Sequence, residues 1–325
     1  MRPLQNLARL DRSNHLLALA RDGKRQSSAI EGIAVWFVVI VLVILGQILS
    51  RGAVRLIFPR RFQSMASPIV EDAAGFLPVY LSLFVWLRFS VKRPFRTLGL
   101  QTPGAVRHIL VGAIIAGSMI AVTAGLAMIP GTVFVPGSQT SILVAFAIGL
   151  LSLISYVVQG TGEEVLFRGY GFQLLLAAFG PYATVIPIGI LFGLLHNANP
   201  NASWFGLINT AGFGVLFGYA YVRSRDLWLP IGLHFGWNFT LPLFGVNLSG
   251  LRMKVTGYEM SWTAGALWSG GEYGPEASIL TSAVVLALFA YLWKAPIRRQ
   301  FSPIADPPAE STLCEPSPSP PSLPL

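Results

Sequence analysis

Apolar residues run along this chain in long unbroken blocks, without the alternation of a half-buried strand or the one-sided stripe of a soluble helix. Blocks at 33–49, 67–89, 109–129, 142–158, 204–221 and 277–293 each approach or exceed the roughly 20 residues that a helix needs to cross a bilayer. Two more, 183–196 and 227–246, are interrupted: the first ends on His196 and the second carries His234 and Asn238. Segments of that kind are tolerated at the centre of a bundle, where other helices and water satisfy them. The pattern predicts an all-α fold, a polytopic membrane helical bundle of about eight transmembrane helices. The stretch 163–179 is expected to continue or follow the fourth helix, partly embedded in the membrane.

Composition strengthens this picture. Of the 325 residues, 53% are hydrophobic and 11% charged, whereas soluble domains are about 25% charged. The net charge of +9 resides in the connections between apolar blocks and not on one soluble face. That arrangement sets orientation and meets the lipid bilayer, and it argues against nucleic acid as a partner. One side of the predicted topology collects the basic residues up to Arg25, those from Arg88 to Arg107, and Arg168, Arg223, Arg225, Lys294, Arg298 and Arg299. The protein is therefore expected to be a multi-pass integral membrane protein with both termini cytoplasmic, in the inner membrane if bacterial. Arg51, Arg55, Arg60 and Arg61 fall on the other side; either 51–64 is an interfacial helix or one span is miscounted. Cys314 is the single cysteine, so neither an intrachain disulfide nor a cysteine zinc site can form. Along the chain, 1–30 reads as a basic cytoplasmic segment, 31–301 as the helical bundle, and 302–325 as a disordered Pro/Ser-rich tail.

Three polar clusters interrupt the apolar blocks. In the first, Glu163-Glu164-Val-Leu-Phe-Arg168, Glu164 and Arg168 are four apart and face each other on a helix. Glu163 is turned away by about 100°. The second, Phe192-Gly-Leu-Leu-His196, sets an aromatic ring one turn before an imidazole, where it can pack beneath it. The third, His234-Phe-Gly-Trp-Asn238, projects an imidazole and an amide from one helix face. Acids at bilayer depth are costly and mark function. Apolar surroundings make a carboxylate a better base toward water, imidazoles can hold that water, and an asparagine amide can donate to an oxyanion. Ser152, Ser155 and Ser203 have no base beside them in the sequence that would mark a nucleophile.

The three clusters, in this order along a polytopic chain, resemble the motifs of the CAAX-protease and bacteriocin-processing (Abi) family. Its best-known branch is the eukaryotic type II CAAX prenyl endopeptidase. The resemblance spans about 94–246 and includes the lead-in Phe95-Arg-Thr-Leu-Gly-Leu100. It implies an intramembrane endopeptidase acting on a peptide or protein substrate at the membrane, with a cavity that opens to the cytosol. By the same carry-over Glu163 is the general base, His196 and His234 hold the water, and Asn238 stabilises the oxyanion. Glu164 joins them as a further candidate catalytic residue, with Arg168 and Phe192 supporting. The family is described both as metal-dependent and as glutamate-type. There is no His-Glu-x-x-His here, and asparagine is a poor zinc ligand, so no cofactor is favoured; a zinc site, if present, would use Glu163, His196 and His234. Two other readings of the same polar residues stay open: a proton-coupled transporter, and a non-catalytic immunity or scaffold protein.

Overall fold

The computed structural model describes residues 23–57, 67–129, 131, 133–136, 141–252 and 255–305. The segment before 23 and the tail beyond 305 lie outside the described residues. In chain order the helices are α1 (Gly23–Ile57), α2 (Ser67–Gly75), α3 (Leu77–Val85, followed by a π-helical turn Trp86–Val91), α4 (Ala105–Met128), α5 (Ile142–Arg168), α6 (Tyr170–Leu195), α7 (Trp204–Ser224), α8 (Trp228–Leu243), α9 (Ala266–Ser269) and α10 (Ile279–Lys294). Each predicted apolar block falls on these helices. Five described stretches are long and apolar enough to cross a membrane: Ala29–Ile57, Ala73–Val91, Ala105–Met128, Ile142–Ala198, which holds both α5 and α6, and Trp204–Ser224. At 16 residues each, α8 and α10 are shorter than a full span. The outward face of α1 shows Ile33, Phe37 and Ile48 to the surroundings, as a lipid-facing helix must.

Two expectations change. Residues 51–57 form the last turns of α1 and not a separate interfacial helix, and 58–64 lie outside the described residues. Continuing a helix adds a hydrogen bond for each residue fixed, and Arg51 turns its head outward, 3.9 Å from the Glu71 carboxylate. At the other end of the chain, Ser302, Ile304 and Ala305, among the first residues of the expected tail, are buried against the bundle. Ser302 accepts from the Tyr221 hydroxyl (2.9 Å) and donates to Gln173 Oε1 (3.1 Å).

Helix starts are set locally. Ser141, Ser203 and Ser278 cap α5, α7 and α10 by accepting the backbone N–H three residues on. Close approach is set by small residues. A Cβ on Gly232 or Gly236 of α8 would come within 2.4 or 2.5 Å of the carbonyl oxygens of Ile109 and Ala113 on α4. Gly189 and Gly214 play the same part between α6 and α7. The start of α8 is fixed by buried Asp226, which accepts from Leu229 N (3.2 Å) and from His108 Nδ1 (2.6 Å). This clamp ties α8, the carrier of His234 and Asn238, to α4.

The bundle has two unlike ends. At one, Arg93 donates to Pro303 O, Gln101 to Phe301 O, Arg223 to the carbonyls of Leu292, Trp293 and Ala295, and the Trp228 indole to Gln101 O. This is the basic rim. At the other, β1 (Val133–Pro136) pairs antiparallel with β2 (Tyr258–Ser261), Val133 opposite Ser261, and the connections 196–203 and 244–278 close the bundle.

Candidate active site

The chain breaks straight after the first motif. A Cβ at Gly169 would lie 2.1 Å from Val165 O, so only glycine fits the turn out of α5. Within α6, Gly180 (φ 80°) followed by Pro181 makes a second break, and the helix beyond it delivers Phe192 and His196 beside α7.

Glu163, His196, His234 and Asn238 all line one cavity of about 110 Å³. That is room for several waters. The adjacent glutamates differ sharply in access. Glu163 keeps 9% exposure toward the cavity, whereas Glu164 and Arg168 have none. Glu164 Oε1 accepts from Arg168 Nη1 (3.1 Å), the i, i+4 pair expected from spacing, and also from His234 Nδ1 (2.8 Å). Because a carboxylate only accepts, Nδ1 of His234 carries the proton and Nε2 faces Glu163 Oε2 at 3.7 Å. His196 follows the same logic: its Nδ1 donates to Phe192 O (2.7 Å), leaving Nε2 as the other ring nitrogen.

Aromatic rings hold this arrangement. The Arg168 guanidinium carbon lies 5.5, 4.9 and 5.5 Å from the ring centres of Phe167, Phe192 and Phe217. Its Nη2 donates to Gly214 O (2.7 Å). Phe192 packs on His196 with centroids 4.6 Å apart, as its spacing implied. Phe217 stacks on His234 at 4.9 Å and 16°.

Three contributors escaped the sequence reading. Gln159 donates to Glu163 Oε1 and accepts from Asn238 Nδ2 (3.0 Å), so it joins base and amide. Its place four residues before Glu163 was the available signal. Phe217 had none. Glu276 also lines the cavity: it accepts from the Trp237 indole (3.1 Å) and from the N–H and hydroxyl of Ser249. Ser249 (φ 49°) and Gly250 (φ 81°) form the tip of a tight turn bridged between Leu248 and Leu251. With both central residues left-handed, it is a type I′ geometry that glycine eases.

Among the described residues no three His, Cys, Asp or Glu side chains are grouped so as to hold a metal ion. His196 and His234 each commit Nδ1 to a protein acceptor, which leaves Nε2 of each as the ring nitrogen available to a water or another ligand. The cavity lies toward one end of the bundle. Its loop-borne walls are Asn199, Leu248, Ser249, Leu251 and Glu276, from the end opposite the basic rim, and no residue of that rim lines it.

Residues 145–240, which contain all three motifs, match the family model described as Type II CAAX prenyl endopeptidase Rce1-like. This is the branch that the motifs resemble. No match is found among curated proteins or among solved structures.

Proposed function

From a motif-bearing core similar to the Rce1-like endopeptidases, we propose that this membrane protein is an intramembrane endopeptidase that hydrolyses a peptide bond in a membrane-associated peptide. The observation that carries the reading is the meeting of Glu163, His196, His234 and Asn238, from three separate helical segments, at one cavity. Leaving such groups toward lipid would be costly, and helix packing alone does not require all four.

In this reading a cavity water donates one hydrogen to Glu163 and the other to a histidine Nε2. Glu163 takes the proton as the water oxygen attacks the peptide carbonyl carbon. Asn238 spends one amide hydrogen on Gln159 and has a second for the oxyanion. When the intermediate collapses, the C–N bond breaks and the proton held by Glu163 passes to the leaving amine. Glu164 keeps His234 in the productive tautomer while neutralising Arg168, which makes it a positioning residue. We favour a metal-free mechanism, on the poor metal affinity of the Asn238 amide.

The test is cleavage of a peptide library by purified protein beside Glu163→Gln. Cleavage by the parent and not by the variant supports the proposal. Proton-coupled transport without cleavage would replace it with a transporter, and inertness in both assays with a binding protein.

A further inference from the structure

One carboxylate of the cavity has no part in the chemistry above. Glu276 is buried, lines the same cavity as Glu163, and lies in a short helical turn (Pro275–Ala277) just before α10. Its main chain is fastened to two helices. Asn209 of α7 donates to Glu276 O (2.8 Å) and to Ser278 O (3.0 Å), and accepts from Ser282 of α10 (2.7 Å). Thr281 of α10 donates to Pro275 O (2.7 Å). With its backbone fixed in this way, the Glu276 side chain is a rigid arm.

That arm reaches two separate walls of the cavity. Oε1 accepts from the Trp237 indole on α8 (3.1 Å), and Oε2 accepts from the N–H of Ser249 and from its hydroxyl (2.9 Å). Trp237 directly precedes Asn238, and its ring packs on Phe213 with centroids 4.5 Å apart. Phe213 meets Phe217 at 5.8 Å, and Phe217 stacks on His234. On the other wall, Ser249 belongs to the turn whose Leu248 and Leu251 give the cavity an apolar face. All three donors to Glu276 are neutral. A neutral side chain could join the two walls with less cost of burial. What the carboxylate adds is a pair of oxygens that take strong, charge-assisted hydrogen bonds from two directions at once.

We propose that Glu276 is a positioning residue of the active site. Through Trp237 and Ser249 it holds the Leu248–Leu251 wall in register with His234 and Asn238, so that an apolar side chain beside the scissile bond is gripped while its carbonyl lies at the amide. The effect on substrate rests on the endopeptidase reading; the tie between Glu276 and the wall does not.

The experiment compares the full chain with Glu276→Gln, Trp237→Phe and the double variant. The first replaces one acceptor oxygen by an NH2 that must face a donor, and the second keeps a ring and removes the N–H. Kinetics use a peptide cleaved by the solubilised parent and a second peptide whose apolar residue beside the cleaved bond is cut back to Ala. Each single variant should raise KM for the first peptide about 10-fold, as for a lost charge-assisted hydrogen bond, and leave kcat within about threefold. The double variant should be no worse than the poorer single one, because both act through one contact. The parent's preference for the first peptide should shrink toward parity in every variant. A residue that merely supports the fold would lower the active fraction and hence kcat, with KM and the peptide preference unchanged; that outcome overturns the proposal. Should Glu276→Gln not fold, Trp237→Phe carries the same comparisons. A second measurement needs no substrate. Leu248 is buried, so Leu248→Cys in a Cys314→Ser background should react slowly with a soluble maleimide well below the unfolding midpoint. Adding Glu276→Gln should speed that reaction about 10-fold as the wall opens locally, and equal rates overturn the proposal. If the solubilised parent cleaves nothing, the endopeptidase reading and the substrate effect fall, while the maleimide rates still decide whether Glu276 holds the wall.

Discussion

Glu163→Gln and Glu164→Gln are the same chemical change one residue apart, and the structure gives them opposite consequences. Glu164 is fully buried, and one of its oxygens takes two charge-assisted bonds, from Arg168 at 3.1 Å and His234 at 2.8 Å. Arg168 has no exposure either, and its remaining contacts are one carbonyl and three aromatic faces. Removing one partner of a buried pair costs about 3–5 kcal/mol, because the other charge stays behind. Against a typical total stability of about 5–15 kcal/mol, that is a large fraction. Glu163→Gln keeps an oxygen to accept from Gln159 and leaves the Glu164–Arg168 pair intact, so its cost in stability should stay under about 1 kcal/mol. Its loss should instead be in turnover, about 10²–10⁴-fold for a missing general base. Unfolding in mixed micelles with increasing denaturing detergent, read beside peptide cleavage, separates the two effects. The reasoning fails if Glu163→Gln unfolds as readily as Glu164→Gln, or if it retains near-parental turnover.

Asn238→Ala should lower kcat by about 10²–10³-fold with little change in KM, as expected for a donor used chiefly in the transition state; a pure KM effect would remove it from that role. Gln159→Leu should lower kcat and also stability by about 1–3 kcal/mol, because it strips a partner from Asn238 and Glu163 together, and unchanged values in both assays would contradict the bridge. Gly236→Val should disrupt the seam between α4 and α8, since even a Cβ there lies 2.5 Å from Ala113 O; a thermal midpoint equal to the parent's would count against that packing. Activity should survive a strong chelator. Loss on chelation, with recovery on adding zinc, would favour a metalloenzyme.

Hydropathy located the helices because lipid-facing length is written locally, one residue after another. The motif spacings were legible for the same reason: Glu164 with Arg168 and Phe192 with His196 are four apart on one helix and meet as that period requires. Gln159 was within reach of the same rule and was passed over, because a lone glutamine in an apolar block carries less weight than an acid. Glu276 and Phe217 reach the cavity only through tertiary packing, 113 and 54 positions from Glu163 along the chain, so no local pattern marks them. The direction of the cavity was equally illegible. It depends on which ends of α6, α7 and α8 the loops join, which is settled by the breaks at Gly169 and Gly180 and not by hydropathy.

Arg168 sets a condition on any attempt to move this site elsewhere. Its guanidinium touches Phe192 and Phe217, and these two rings in turn lie on His196 and His234. Both imidazoles are thus gauged against one buried cation, although they come from different helices. Grafting the glutamates and histidines onto another bundle would copy the reagents without the ruler that spaces them. A working transplant must carry the arginine, its carboxylate and both rings as one indivisible part.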